Sequence, residues 1–315
     1  HRGEVVGRGE EPAEGLKGLG NAGPAGPGVG VAGVRCDPAG DAFGHVRARR
    51  NAAQQIDGVS EEGQGAHPPA HDQDLRSHSG GGSGGELVIQ TPVYPPFLRA
   101  AANAGMVQRN AGFVYSEESG YEVDWESFAG AFNPQTRMFL LCSPHNPVGR
   151  IFRRQELERM AETCLRHDAL ICSDEIHCDL VYSGHRHLPI ASLDAEVARR
   201  TITLYAPSKT FNVAGLQFAF AVIPDGELRK RFRRASRGLG SWAGLFGQLG
   251  ALAAYRDSRD WLAEVLEYLQ GNRDYLFDFV KAELPGVRMH LPEATYLGWL
   301  DFRQTPLAHD PYTIL

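Results

Sequence analysis

The first 85 residues of this chain almost lack aromatic side chains. Phe43 is the one aromatic there, out of 15 Phe, 10 Tyr and 4 Trp in the whole sequence. The same segment carries 21 of the 37 glycines. Its stretch GLGNAGPAGPGVGVAG follows neither the period of a strand nor that of a helix. Such a segment cannot bury enough apolar surface to offset its ordering entropy, so 1–85 is expected to be disordered. SHSGGGSGG, which ends it, lacks the lysine and hydroxyl residue of a phosphate loop and follows no strand. No apolar run approaches the roughly 18 residues that span a bilayer. The apolar core of a signal peptide is missing at the N-terminus. The formal net charge of -6 suggests no general affinity for nucleic acid or anionic membrane. The five cysteines, Cys36, Cys142, Cys164, Cys172 and Cys178, show neither metal spacing nor a dense disulfide framework. They read as free thiols of a reducing cytoplasm.

From residue 86 the texture changes to that of a globular protein. ELVIQT (86–91), MFLLCS (138–143), ALICSDEI (169–176), TITLYA (201–206) and QFAFAVIP (217–224) read as strands. Helices are expected at 95–105, at 124–132 behind an Asp cap, at 152–167, and at about 226–238, 243–256 and 258–283. Alternating apolar strands and amphipathic helices predict an α/β fold, a mainly parallel sheet with helices on both faces. Ligands of such sheets bind beyond the carboxyl ends of the strands.

Chemistry-bearing residues follow these strands. Tyr94 comes after the first, Asn146 after the second, Asp174 and His177 at the end of the third, and Ser208-Lys209 after the fourth. A lysine framed by TITLYA and FNVAGL is either misplaced or a reagent. A nucleophilic lysine has to be neutral, and an apolar setting favours the neutral amine. One aromatic, one amide, one carboxylate and one lysine match the needs of pyridoxal phosphate. The lysine condenses with its aldehyde, the carboxylate keeps the pyridine nitrogen protonated, the amide faces the phenolic oxygen, and the aromatic stacks on the ring. Read alone, each residue also has a structural explanation. Asn146 suits a turn, Asp174 a helix cap, Tyr94 a packing contact and His177 a satisfied interior histidine. Tyr205 reads as core, and Arg231, Arg233 and Arg234 as a solvated helix face. His185 and His187 lack a cysteine or carboxylate at closed-site spacing, so no metal is expected.

TPVYPPFL, SPHNPVGR, SDEIHCDLVY and PSKTFNVAGLQ, in this order, resemble the fold-type I pyridoxal-phosphate enzymes of the class I/II aminotransferase superfamily. The HNPVG, DEIH and SKTFN forms are most similar to its cystathionine β-lyase branch, the MalY/PatB-type C–S lyases. The resemblance covers about 86–311. It implies that Lys209 is the catalytic, cofactor-linked lysine, that Asp174 pairs with the pyridinium nitrogen and that Asn146 holds the phenolic oxygen. It further implies that Tyr94 stacks on the ring, that His177 sits at the ring edge and that Ser208 reaches the phosphate. Ala206 stands where many relatives carry a second phosphate-binding serine. The implied activity is β-elimination from cystathionine or a cysteine S-conjugate, with an aminotransferase or a non-catalytic member as alternatives. The implied form is a homodimer. The implied division is a large cofactor domain over 86–257 and a partial small α+β domain over 258–315. The family's N-terminal tyrosine and phosphate cradle are not legible in 1–85, and the chain stops at PYTIL. Residues 1–85 are therefore expected to be noncognate to the family, and the C-terminus truncated.

Overall fold

The computed structural model describes residues 29–31, 34–36, 84–238 and 243–308. Two three-residue strands, β1 (Val29–Val31) and β2 (Val34–Cys36), pair antiparallel where no strand was expected. The rest of the segment expected to be disordered, up to residue 83, lies outside the described residues.

A seven-stranded sheet organises residues 86–222. Its strands are β3 (Glu86–Thr91), β4 (Val107–Ser116), β5 (Gly120–Val123), β6 (Thr136–Cys142), β7 (Leu170–Asp174), β8 (Thr201–Tyr205) and β9 (Phe220–Val222). Their spatial order is β5-β4-β3-β6-β7-β8-β9. The five inner strands run parallel, and β5 and β9 close the edges antiparallel. The mainly parallel α/β fold is therefore as expected.

The pleat explains how both faces are covered. Successive side chains of a strand point to opposite faces. Val88, Phe139, Leu141 and Ile171 enter one core, while Leu87, Ile89, Leu140 and Cys142 enter another. The first core is filled by Phe128 of helix α2 (Trp125–Gly130) and by Leu157, Met160, Ala161 and Cys164 of α3 (Arg154–Arg166). The second takes Phe97 and Ala101 of α1 (Phe97–Asn103). Asp124 caps α2 as predicted, its Oδ1 accepting from the Ser127 N–H at 2.9 Å. A short unforeseen helix, α4 (Ala195–Arg199), is capped likewise by Asp194. Helices α5 (Gly226–Ala235), α6 (Leu245–Asp257) and α7 (Arg259–Glu283) follow the sheet. The chain then returns through the antiparallel pair β10 (Arg288–Met289) and β11 (Leu300–Asp301).

Three strand expectations are corrected. Strands β4 and β5 were not foreseen, because most of β4 is exposed or half-buried and shows no apolar run. The 169–176 strand ends at Asp174, where the Asp174 carboxylate accepts from the Ile176 N–H at 3.1 Å and turns the chain. The 217–224 strand shortens to Phe220–Val222, since Ala214–Leu216 forms a 3-10 turn and Gln217 takes φ 48°.

Candidate active site

The sheet brings the carboxyl ends of β3, β6, β7 and β8 together. Cys142 at the end of β6 pairs in register with Asp174 at the end of β7, and Asp174 in turn pairs with Leu204 of β8. Four of the sequence-singled residues thus leave the same edge. Tyr94 and Asn146 meet directly, the Tyr94 N–H donating to the Asn146 carbonyl at 3.0 Å. The Asn146 N–H also reaches Cys142 Sγ at 3.4 Å, so the amide-bearing turn is tied to the end of β6. The Tyr94 ring is 41% exposed and meets Phe97 edge-on at 6.3 Å between centroids.

Asp174 is half-buried. Its charge is felt on both sides. Burial, reinforced by Asp174, pushes the Cys142 thiol up, and in the same way raises that of Cys172 to about 12. Both thiols are thereby held protonated and inert at neutral pH. Cys142, Cys164 and Cys172 form no disulfide.

His177 is buried, lies edge-on to Tyr296 at 5.6 Å, and leaves its Nδ1 without a hydrogen-bond partner. Burial, with the Lys209 charge second, pushes its ring down to about 4, so it is neutral at pH 7. The Lys209 charge is thus felt at the His177 ring. Lys209 itself is half-buried, following buried Pro207 and Ser208. Ser208 Oγ is buried and also lacks a partner.

Sequence reasoning missed the polar cluster behind this edge. Glu175 is completely buried. Its carboxylate accepts from Tyr205 Oη at 2.7 Å, from the His187 Nε2–H at 2.9 Å and from Ser173 Oγ at 3.1 Å. Burial disfavours its charge, but the His187 charge and these hydrogen bonds outweigh that, and the carboxyl stays below its usual range. Tyr205 is core, as expected, yet it also carries this bond. His185 and His187 turn to different carboxylates, His185 approaching Glu293 at 3.5 Å. Among the described residues, no group of three or more His, Cys, Asp or Glu is placed to hold a metal ion. The signal for the cluster was a carboxylate next to Asp174 at the end of an apolar strand. Tyr296 was unreadable because it comes from a segment some 120 residues further on.

The site residues suit pyridoxal phosphate. A buried hydroxyl and a buried imidazole nitrogen that lack partners, Ser208 Oγ and His177 Nδ1, call for polar groups of a ligand. A lysine, a carboxylate and an amide lie on the same edge.

Comparison with known proteins agrees with this chemistry. Cystathionine beta-lyase PatB of Bacillus subtilis is 39% identical over 227 residues, which are 70% of this chain and 57% of PatB. Protein MalY of Escherichia coli is 33% identical over 73% of this chain and 58% of its own length. Cystalysin from Treponema denticola, whose crystal structure contains a pyridoxal 5'-phosphate cofactor, superposes with a TM-score of 0.68. It has 31% identity, over 73% of this chain and 58% of cystalysin. The chain thus spans less than three fifths of the length of these relatives. No helix among the described residues is long and apolar enough to cross a membrane. The family described as Aminotransferase class I and II matches residues 81–311, and the chain belongs to it.

Proposed function

We propose that this chain is the core of a pyridoxal-phosphate-dependent carbon–sulfur lyase that eliminates the thiol from cystathionine or a related cysteine S-conjugate, giving pyruvate and ammonia. The observation that carries the reading is the convergence of Tyr94, Asn146, Asp174 and Lys209 on one sheet edge, with Tyr94 and Asn146 in direct contact. When bound, pyridoxal phosphate supplies an electron sink for the carbanion formed beside an amino group.

The chain's residues divide the remaining work. Lys209 holds the cofactor and moves a proton between its Nζ and the substrate α-carbon. Asp174 sets a negative charge opposite the pyridine nitrogen and keeps a proton there. Asn146 would hold the phenolic oxygen of the cofactor, and Tyr94 would stack on its ring. His177, neutral at pH 7, would sit at the ring edge without adding a positive charge. Ser208 Oγ, buried and without a partner, would donate to the phosphate. The two acidic-site thiols, Cys142 and Cys172, stay protonated, so they do not compete as nucleophiles for the aldehyde.

The branch follows from the relatives named cystathionine beta-lyase, PatB among them. The family name itself keeps an aminotransferase as the second reading. Pyruvate release from cystathionine without added keto acid supports the lyase. Turnover that requires a keto acid and releases no pyruvate overturns it in favour of the aminotransferase. Binding of cofactor with neither reaction points to a non-catalytic member. The reading further includes a homodimer, a cytoplasmic setting, and a division into a cofactor domain over 86–257 and a smaller unit over 258–315. The exposed apolar side chains Leu245, Phe246 and Leu249 on α6 and Tyr268 and Tyr275 on α7 support the dimer.

A further inference from the structure

We propose that Glu175, with Tyr205 and His187, is a positioning unit that fixes the spacing between Asp174 and Lys209. The inference rests on the pyridoxal-phosphate reading above. Glu175 follows Asp174 directly, and its N–H donates to the Leu204 carbonyl at 3.0 Å. Its carboxylate takes Tyr205 Oη at 2.7 Å. Tyr205 is the last residue of β8, four residues before Lys209. Two bonds from one residue therefore join the end of the strand bearing Asp174 to the end of β8, four residues before Lys209. The 2.9 Å bond from His187 and the 3.1 Å bond from Ser173 hold the carboxylate from its other sides.

The arrangement is expensive for a merely structural tie. A fully buried carboxylate costs several kcal/mol of solvation and is tolerated only when its donors are complete. A β7–β8 ladder already joins the two strands in register as far as Asp174 and Leu204. What the ladder does not reach is the segment beyond Tyr205, where Ser208 and Lys209 lie. The Tyr205–Glu175 bond extends the connection to the start of that segment. Glu175 touches neither cofactor nor substrate in this account. It acts through Asp174 on one side and through the Tyr205–Lys209 segment on the other.

A spacing error shows itself only with a ligand that must reach both ends at once. Pyridoxal phosphate does so: its ring nitrogen meets Asp174, and its aldehyde condenses with a lysine amine, forming C=N and releasing one water. 4'-Deoxypyridoxine carries a methyl group in place of the aldehyde and a hydroxyl in place of the phosphate, so it needs only the ring contacts at the Asp174 end. The test measures the affinity of both ligands for the chain and its Tyr205→Phe, Glu175→Gln and Lys209→Ala variants. It also measures amide exchange of the ligand-free proteins at 173–177 and 204–210. In Tyr205→Phe, pyridoxal phosphate should bind about tenfold more weakly, the size of one hydrogen bond to a charged group. The analogue should change less than about twofold. Amide exchange should quicken in both segments. Equal loss for the two ligands, no loss for either, or faster exchange confined to one segment overturns the proposal. Should Glu175→Gln fail to fold, Tyr205→Phe still decides, because it removes one hydroxyl and keeps the ring. Should pyridoxal phosphate bind the parent chain no more tightly than it binds Lys209→Ala, the cofactor reading fails, while the exchange measurement still decides whether Glu175 couples the two strand ends.

Discussion

Two residues carry most of the chemistry, and each makes a separate prediction. Lys209→Ala should abolish the lysine-dependent visible band of bound cofactor while some noncovalent binding persists, which an absorbance titration checks. Asp174→Asn should fold and bind cofactor through Lys209, but lose at least about a hundredfold in turnover. A neutral amide cannot keep the pyridine nitrogen protonated, and each 1.36 kcal/mol of barrier is about tenfold in rate. Turnover near that of the parent would remove Asp174 from the mechanism. Acid stability follows from the buried histidines. Burial holds both His145 and His177 near 4, below the ordinary value of 6.5. Between those values the unfolded chain binds more protons than the folded one, so stability is full above about 6.5 and falls as pH drops toward 4. Glu175, held below its usual range, adds a loss at still lower pH as it takes up a proton. Unfolding free energy measured by denaturant across pH 7 to 4 should therefore decline. A flat profile over that window contradicts the burial of these rings. At this scale the sequence was legible where one residue type has one use. Four lysines occur in the chain, at 17, 209, 230 and 281, and one of them follows a buried strand of the sheet. It was illegible where partners come from afar. His187 and Tyr205 are 12 and 30 residues from Glu175, and no local pattern announces their meeting.

Elements were readable in proportion to their burial. Strand β3 matched its apolar run to the residue, since five of its six residues are buried. Strand β4 has ten residues, of which Ala111 alone is buried, so it left no apolar run to read. The sheet core sets the cost of change there. Phe139 of β6 is fully buried against Phe128 at 5.2 Å and Phe132 at 6.2 Å. Phe139→Ala should destabilise by about 3–5 kcal/mol in a denaturant titration. The turn that carries Asn146 has its own constraint. Gly149 sits at φ 73°, and a Cβ there would lie 2.5 Å from Pro292 Cβ and 2.9 Å from the Ala294 carbonyl oxygen. Its own carbonyl accepts from both Glu293 and Ala294 N–H at 2.9 Å. Gly149→Ala should cost about 1–3 kcal/mol from backbone strain alone and loosen the junction with 292–295. Thermal unfolding reads the first, and proteolysis near 292–295 the second. An unchanged melting temperature would mean that the junction yields without cost.

Residues 86–222 are organised by a sheet whose inner strands end at one edge and whose two faces are covered by helices. The mainly parallel architecture could be argued from alternation alone, because a strand buried on both faces reads as a continuous apolar run. The antiparallel edges could not, since β5 and β9 are four and three residues long. The same sheet explains why the site was legible as a set before any distance was known. Register in a parallel sheet brings every strand's end to one side, so residues that follow strands become neighbours. Lys209 is the residue on which the functional account turns. The most direct measurement incubates the chain with pyridoxal phosphate, reduces it with borohydride and maps the pyridoxyl label among Lys17, Lys209, Lys230 and Lys281. The account predicts the label on Lys209, and its loss in Lys209→Ala; a label on another lysine, or none in the parent chain, would contradict it.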